Sequence, residues 1–316
     1  MQENKSHARL LAFPSDSQIE TFANSRRRRF AYYFASLFVG ICLFAVPLKA
    51  LLAMSISSEL YDYIPLMFAL CGYLLIKERK EVFENPDWSF GYGLPVLVLS
   101  LAAAAAGLNY RDVLKPEDYL CVMSFSFWLY LMGTFLLFFG PAAFAKAIFP
   151  LFMLLFTVPL PAWLLDNAVE LLREGSYFSA GWIFHTLGMV PLEHGFSFTF
   201  PEISIEVAKE CSGIHSCTAL VIMALLCGRY FLRSGVNKFL LAICAALIAT
   251  FKNGVRIAAL TLAAIYIDPN ILETAWHRNG GIIIFGLGVG WLALVLLAMR
   301  KVEKRKLHQP ASVASK

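Results

Sequence analysis

Long apolar runs, one after another, constrain this chain more than any motif in it. Crossing a bilayer as a helix takes about 20 predominantly apolar residues. Eight runs approach that length, at roughly 30–54, 61–76, 91–108, 119–140, 147–165, 213–232, 237–256 and 281–299. Composition agrees: 59% of the 316 residues are hydrophobic, against about 45–50% in a soluble domain, and the mean hydropathy is +0.64. The expected fold is an all-α polytopic membrane protein of about eight transmembrane helices. The first run begins near residue 30 and is too long for a secretory h-region, so no cleavable signal peptide is expected.

Charge orients the runs. Arg26 to Arg29 directly precede the first, and Arg300, Lys301, Lys304, Arg305 and Lys306 follow the last. Basic residues beside spans mark the cytoplasmic side. Eight crossings put both ends inside, and Lys77, Arg79, Lys80, Arg229, Arg233 and Lys238 fall in loops of the same parity. The net charge of +5 is modest and its basic clusters abut spans, which disfavours nucleic acid as a partner. The expected organisation is a cytoplasmic basic segment at 1–29, a transmembrane domain at 30–299 and a cytoplasmic basic tail at 300–316.

The segment 166–212 is the longest between spans and faces outward in this scheme. Its first half, Asp166 to Val190, reads as an amphipathic helix on the membrane, with Val169, Leu172, Phe178, Trp182 and Leu187 apolar. Its second half alternates: Phe196-Ser197-Phe198-Thr199-Phe200, then Pro201-Glu202, then Ile203-Ser204-Ile205-Glu206-Val207. Alternation around a turn predicts a small β-hairpin, and it delivers the chain to Glu210-Cys211-Ser212-Gly213.

Of the seven cysteines, most lie inside apolar runs and read as small buried residues. No CxxC pair suggests zinc, so no metal or cofactor is expected. Cys211 differs through its position. A helix starting near Ser212 places it where unpaired N–H groups and the positive dipole end stabilise negative charge, and the thiolate is the nucleophilic form of sulfur. The same N–H groups suit an oxyanion, and Gly213 admits close approach of a substrate backbone. The competing reading is an inert buried thiol at a helix start.

Two further polar residues stand at apolar boundaries. Arg256, in Lys252-Asn253-Gly254-Val255-Arg256, interrupts an apolar stretch, where a permanent charge is expensive and is functional or paired. Asn253-Gly254 is expected to break the helix and bring Arg256 to the outer interface, where it would stabilise negative charge or bind a carboxylate. A snorkelling arginine, or one paired with Glu210, is the alternative. His277, in Trp276-His277-Arg278-Asn279-Gly280-Gly281, falls on the same side by parity and suits a general base. His215, four residues after Cys211 and on the same helix face, is the rival base. Nucleophile, base and cationic stabiliser are the roles that acyl transfer needs.

Glu210-Cys211-Ser212-Gly213, Asn253-Gly254-Val255-Arg256-Ile257 and His277 with Gly280-Gly281 together resemble the exosortases and archaeosortases. The alternating segment before the cysteine and Val158-Pro159-Leu160-Pro161 fit as well, so the likeness covers roughly residues 120–300. The resemblance implies a membrane cysteine protease or transpeptidase, with Cys211 as nucleophile, His277 as acid/base and Arg256 as transition-state stabiliser. Glu210, Ser212, Gly213, His215 and Asn253 would support the site. Implied partners are exported proteins ending in a short motif, often Pro-Glu-Pro, then a transmembrane helix and a basic tail, together with an acceptor nucleophile. The implied setting is the bacterial inner membrane with the site facing outward. A transporter, or an envelope acyl- or glycosyltransferase, is the alternative function. The first would want charges within spans and internal repeats, and the second would not need Cys211.

Overall fold

The computed structural model describes residues 16–84, 86–201, 203–268 and 275–308, with side chains placed between 26 and 305 except at 85, 202 and 269–280. The chain divides into two compact units, Met1–Ala162 and Trp163–Lys316. Ten helices are described: α1 (Asp16–Leu43), α2 (Ala45–Ser57), α3 (Ile64–Lys77), α4 (Arg79–Val82), α5 (Phe90–Asn109), α6 (Pro116–Met153), α7 (Ala162–Thr186), α8 (Ile214–Phe231), α9 (Gly235–Tyr266) and α10 (Ala275–His308). Three short strands, β1 (Leu192–His194), β2 (Ser197–Thr199) and β3 (Ser204–Glu206), follow α7.

The architecture is that of an all-α multi-pass membrane protein, but among the described residues it holds fewer spans than eight. Five helices are long and apolar enough to cross a bilayer, or six if the α1–α2 pair, bent by 74°, counts as one span. Two local effects account for the step from eight to six. The helix at 64–77 has 14 residues, too few to span unaided. The run at 119–140 and much of that at 147–165 fall in one apolar stretch, Pro116–Thr157, by length and composition. Within α6 two helical pieces meet in a kink at Gly140, whose φ of +79° and ψ of 173° are not helical. Pro141 has no N–H for the Leu137 carbonyl; instead Ser89 N–H donates to Leu137 C=O (3.0 Å) and Asp87 N–H to Phe139 C=O (3.3 Å). The last carbonyls before the kink are thus satisfied from outside the helix.

A further difference bears on the site. Helix α9 runs unbroken for 32 residues through Asn253-Gly254 to Tyr266, so the expected break there is absent. Gly254 serves packing. A Cβ at this position would collide with Ser179 Cβ on α7 and lie 3.0 Å from the Ser176 carbonyl. A Cβ at Gly175 would meet Thr250 Cγ2. Small residues on both helices let the backbones approach, as membrane helix pairs commonly do.

The alternating segment holds β2 and β3 as antiparallel neighbours, and β1, just before it, adds a third strand in the order β1-β2-β3. Register pairs Phe198 with Ile205 and Ser197 with Glu206. Phe198, Phe200 and Val207 pack with Ala180 and Phe184 of α7 and Ile257 and Ala258 of α9. The sheet is thereby fixed against the upper part of α9, beyond Asn253. Glu202, in the expected turn, lies outside the described residues.

Helix α7 buries Leu172, Ser176, Ala180, Gly181 and Phe184, while Phe178 and Trp182 are exposed. The apolar set expected to lie together on a membrane surface is therefore divided between two faces. The face spaced by four residues is the one that meets α9.

Candidate active site

Two polar residues of α9 reach the turn that carries Cys211. After β3 the chain makes a 3-10 turn over Lys209–Cys211, held by Cys211 N–H to Ala208 C=O (3.0 Å) and Ser212 N–H to Lys209 C=O (3.1 Å). Gly213 then takes φ of +80° and α8 begins at Ile214. Cys211 is thus in the turn leading into the helix, not in its first turn. Gly213 is required twice over: its φ is left-handed, and a Cβ there would lie 3.0 Å from Asn253 Cγ.

Asn253 is almost fully buried, at 1% exposure. Its Nδ2 donates both hydrogens, to the Cys211 carbonyl (2.6 Å) and to Ser176 Oγ (3.0 Å). A single amide therefore ties the cysteine turn to α9 and α9 to α7. Beside it, buried Lys252 donates from Nζ to Ser216 Oγ (2.8 Å), and Ser216 Oγ donates to the Gly213 carbonyl (2.9 Å). An ammonium has no lone pair to accept with, so the direction of this relay is fixed from lysine to serine to carbonyl. Lys252 also lies over the Phe285 ring, 5.9 Å from its centroid.

Cys211, Asn253 and Arg256 line one cavity of about 160 Å³, together with Glu206, Val207 and Leu260. Both Cys211 and Arg256 are half-buried. Sequence reasoning named the first three but not the β3 residues. Arg173 of α7 secures that strand: its Nε donates to Val207 C=O (2.5 Å), Nη2 lies 3.3 Å from Glu206 Oε1, and its guanidinium sits 4.0 Å from the Phe196 ring centroid. Nothing in the local pattern around Arg173 marked it, because the strand residues it holds, Glu206 and Val207, lie more than thirty residues away.

The remaining expected residues are distributed as follows. Ser212 is buried at 1% exposure, and its Oγ has no hydrogen-bond partner among the described residues. Glu210 and His215 are exposed. His277 belongs to the first turn of α10, and its side chain lies outside the described residues. No group of His, Cys, Asp or Glu suited to a metal occurs among the described residues. Away from the cavity, Glu193 of β1 accepts from Tyr177 Oη (3.2 Å) and lies 3.5 Å from His185 Nε2. Burial first, and then the Glu193 carboxylate, pushes the Tyr177 phenol up to about 12.

A family model described as transmembrane exosortase matches residues 53–294, most of the chain and all of the cavity. The chain belongs to the transmembrane exosortase family. No curated protein matches it, and no solved structure does. Membership points to a membrane transpeptidase acting on sorting signals. Cys211, Arg256 and His277 of this exosortase all fall within the matched residues.

Proposed function

We propose that this exosortase is a cysteine transpeptidase that cleaves the C-terminal sorting signals of exported proteins and passes the new carboxyl end to an acceptor. The observation that carries the reading is the shared cavity: Cys211 and Arg256, 45 positions apart in sequence, line the same small space. Cys211 is the nucleophile. Its thiol proton goes to a base, its sulfur attacks the scissile carbonyl, and the oxygen of the tetrahedral intermediate carries the negative charge. Arg256 stabilises that charge from the cavity wall. The C–N bond then breaks, the leaving amine takes the proton back from the base, and a thioester remains. An acceptor amine or water attacks the thioester, its proton passes to the base and then to sulfur, and the thiol is restored.

His277 is the assigned base, at the start of α10. His215, in the first turn of α8, is the competitor. Asn253 and Gly213 position the turn, Ser212 and Glu210 flank Cys211 in the sequence, and no cofactor is required. The cavity faces away from the cytoplasm of a bacterial inner membrane, because the basic clusters lie at the opposite ends of α8 and α10.

The deciding experiment follows processing of an exported reporter that ends in a Pro-Glu-Pro motif, an apolar helix and a basic tail. Cys211→Ala is expected to abolish processing while the protein still inserts, and hydroxylamine should release a trapped thioester from the wild type. Undiminished processing by Cys211→Ala would sink the proposal and leave an envelope transferase, which has no need of the thiol.

A further inference from the structure

The sheet beside the cavity has an open edge. β2 is central, and β3 pairs with it on one side only. Phe200 N–H donates to Ile203 C=O (2.8 Å) and Val207 N–H to Phe196 C=O (2.9 Å). In an antiparallel ladder, bonded and non-bonded pairs alternate. The backbone groups of residues 203, 205 and 207 therefore turn toward β2, and those of Ser204 and Glu206 turn away from it. These outward N–H and C=O groups have no partner among the described residues, and both residues are exposed. An unpaired edge is a template for another strand.

This edge leads into the site. Ile205, Glu206 and Val207 line the same cavity as Cys211 and Arg256. Glu206 is five residues before Cys211, and Arg173 pins the end of the strand through Val207 C=O. Ile203 and Val207, which flank β3, pack in the cluster that holds Ile257 of α9, so the strand is anchored at both ends with its outer edge open.

We infer that the substrate binds by strand addition: an extended peptide segment next to the scissile bond pairs its backbone with Ser204 and Glu206 of β3, which directs the following carbonyl into the Cys211 cavity. This rests on the transpeptidase reading above. Strand addition takes affinity from main-chain bonds and leaves alternate side chains to set specificity. It gives a membrane enzyme a way to hold many exported proteins by one short segment.

The test uses the full-length chain in detergent with Cys211→Ala, so that binding is read apart from turnover. The probe is a fluorescein-labelled synthetic peptide carrying Pro-Glu-Pro. Glu206→Pro and Ser204→Pro each remove an outward N–H that the fold does not use, and an edge strand tolerates proline there. Each is expected to weaken binding about five- to tenfold. Glu206→Gln, which keeps the amide N–H, retains binding.

Equal binding by the proline variants would overturn the inference. So would an equal loss in Glu206→Gln, which would mean a side-chain contact. A change in oligomeric state of the proline variants with binding intact would assign the edge to a second copy and overturn it too. Should the proline variants lose their melting transition, N-methylation of the probe, residue by residue, decides on the intact protein. Weakening at every second residue supports strand addition, and an even or absent response rejects it. The two readings fail differently: a wild type that processes no reporter loses the transpeptidase reading, whereas one that processes it but shows no period-two response loses only the strand addition.

Discussion

Asn253 Nδ2 lies 2.6 Å from the carbonyl oxygen of Cys211. This bond joins the middle of one long helix to the turn before another, and its second hydrogen goes to Ser176 on a third segment. Asn253→Ala leaves a buried carbonyl and a buried hydroxyl without a donor. The expected cost is about 1–3 kcal/mol, read as a lowered melting temperature in detergent. Asn253→Asp should be worse, because an ionised carboxylate only accepts and faces the Cys211 carbonyl. Labelling of Cys211 by a thiol reagent should change in both variants, in a background lacking the other six cysteines. Unchanged stability and labelling would show that the turn is held by other means.

Gly254 sets how closely α7 and α9 approach. Gly254→Ala forces a Cβ into Ser179 Cβ, and overpacking of this kind costs about 1–3 kcal/mol. Ser179→Gly in the same chain removes the nearest clash and should recover part of the loss. The residual cost comes from the Ser176 carbonyl at 3.0 Å. Additivity of the two single effects in a double-mutant cycle would refute the contact.

Gly213 should tolerate no side chain. Its φ of +80° costs an ordinary residue about 1–2 kcal/mol, and Asn253 Cγ leaves no slack for a Cβ. Gly213→Ala is expected to reduce processing of the reporter more than it reduces stability, since relief of the strain moves Cys211. Equal melting temperature with full processing would contradict this.

The relay from Lys252 through Ser216 to the Gly213 carbonyl predicts a coupling. Lys252→Met removes a buried ammonium and keeps the stem, so insertion and stability should hold or improve. Turnover should fall several-fold, and Ser216→Ala should produce a similar fall. Because both act on one carbonyl, the double variant should be no slower than the single ones. Independent, multiplying effects would place Lys252 in a separate role.

How far the sequence could be read follows from which of these contacts are local. Hydrophobic runs and basic flanks are local, so a multi-pass helical fold was legible, as was the alternation in the strand region. The number of spans was not, because the carbonyls at the Gly140 kink are satisfied by the amides of Asp87 and Ser89 some fifty residues away. Asn253-Gly254 looked like a helix breaker for the same reason: its true partners, Ser176, Ser179 and Cys211, are supplied by tertiary packing. Cys211 and Arg256, which line one cavity, drew notice in the sequence because a thiol and a charge stand out against apolar neighbours. Arg173 and Lys252 gained roles only once the strand and the Gly213 turn were in place.

Arg256 offers the sharpest division between charge and shape. As a planar fork it can give two parallel hydrogen bonds to an oxyanion, and a lysine gives a point charge. Arg256→Gln is expected to lower kcat by about 10²–10³, the usual loss of one stabilising donor of developing charge. Arg256→Lys should recover only part of this, with KM for the reporter peptide little changed, because the deficit arises in the transition state and not in binding. A rise in KM with constant kcat would instead make Arg256 a ground-state anchor for a substrate carboxylate. Thioester trapped by Cys211 should fall with kcat in the first case and recover at saturating peptide in the second, so single-turnover labelling separates the two.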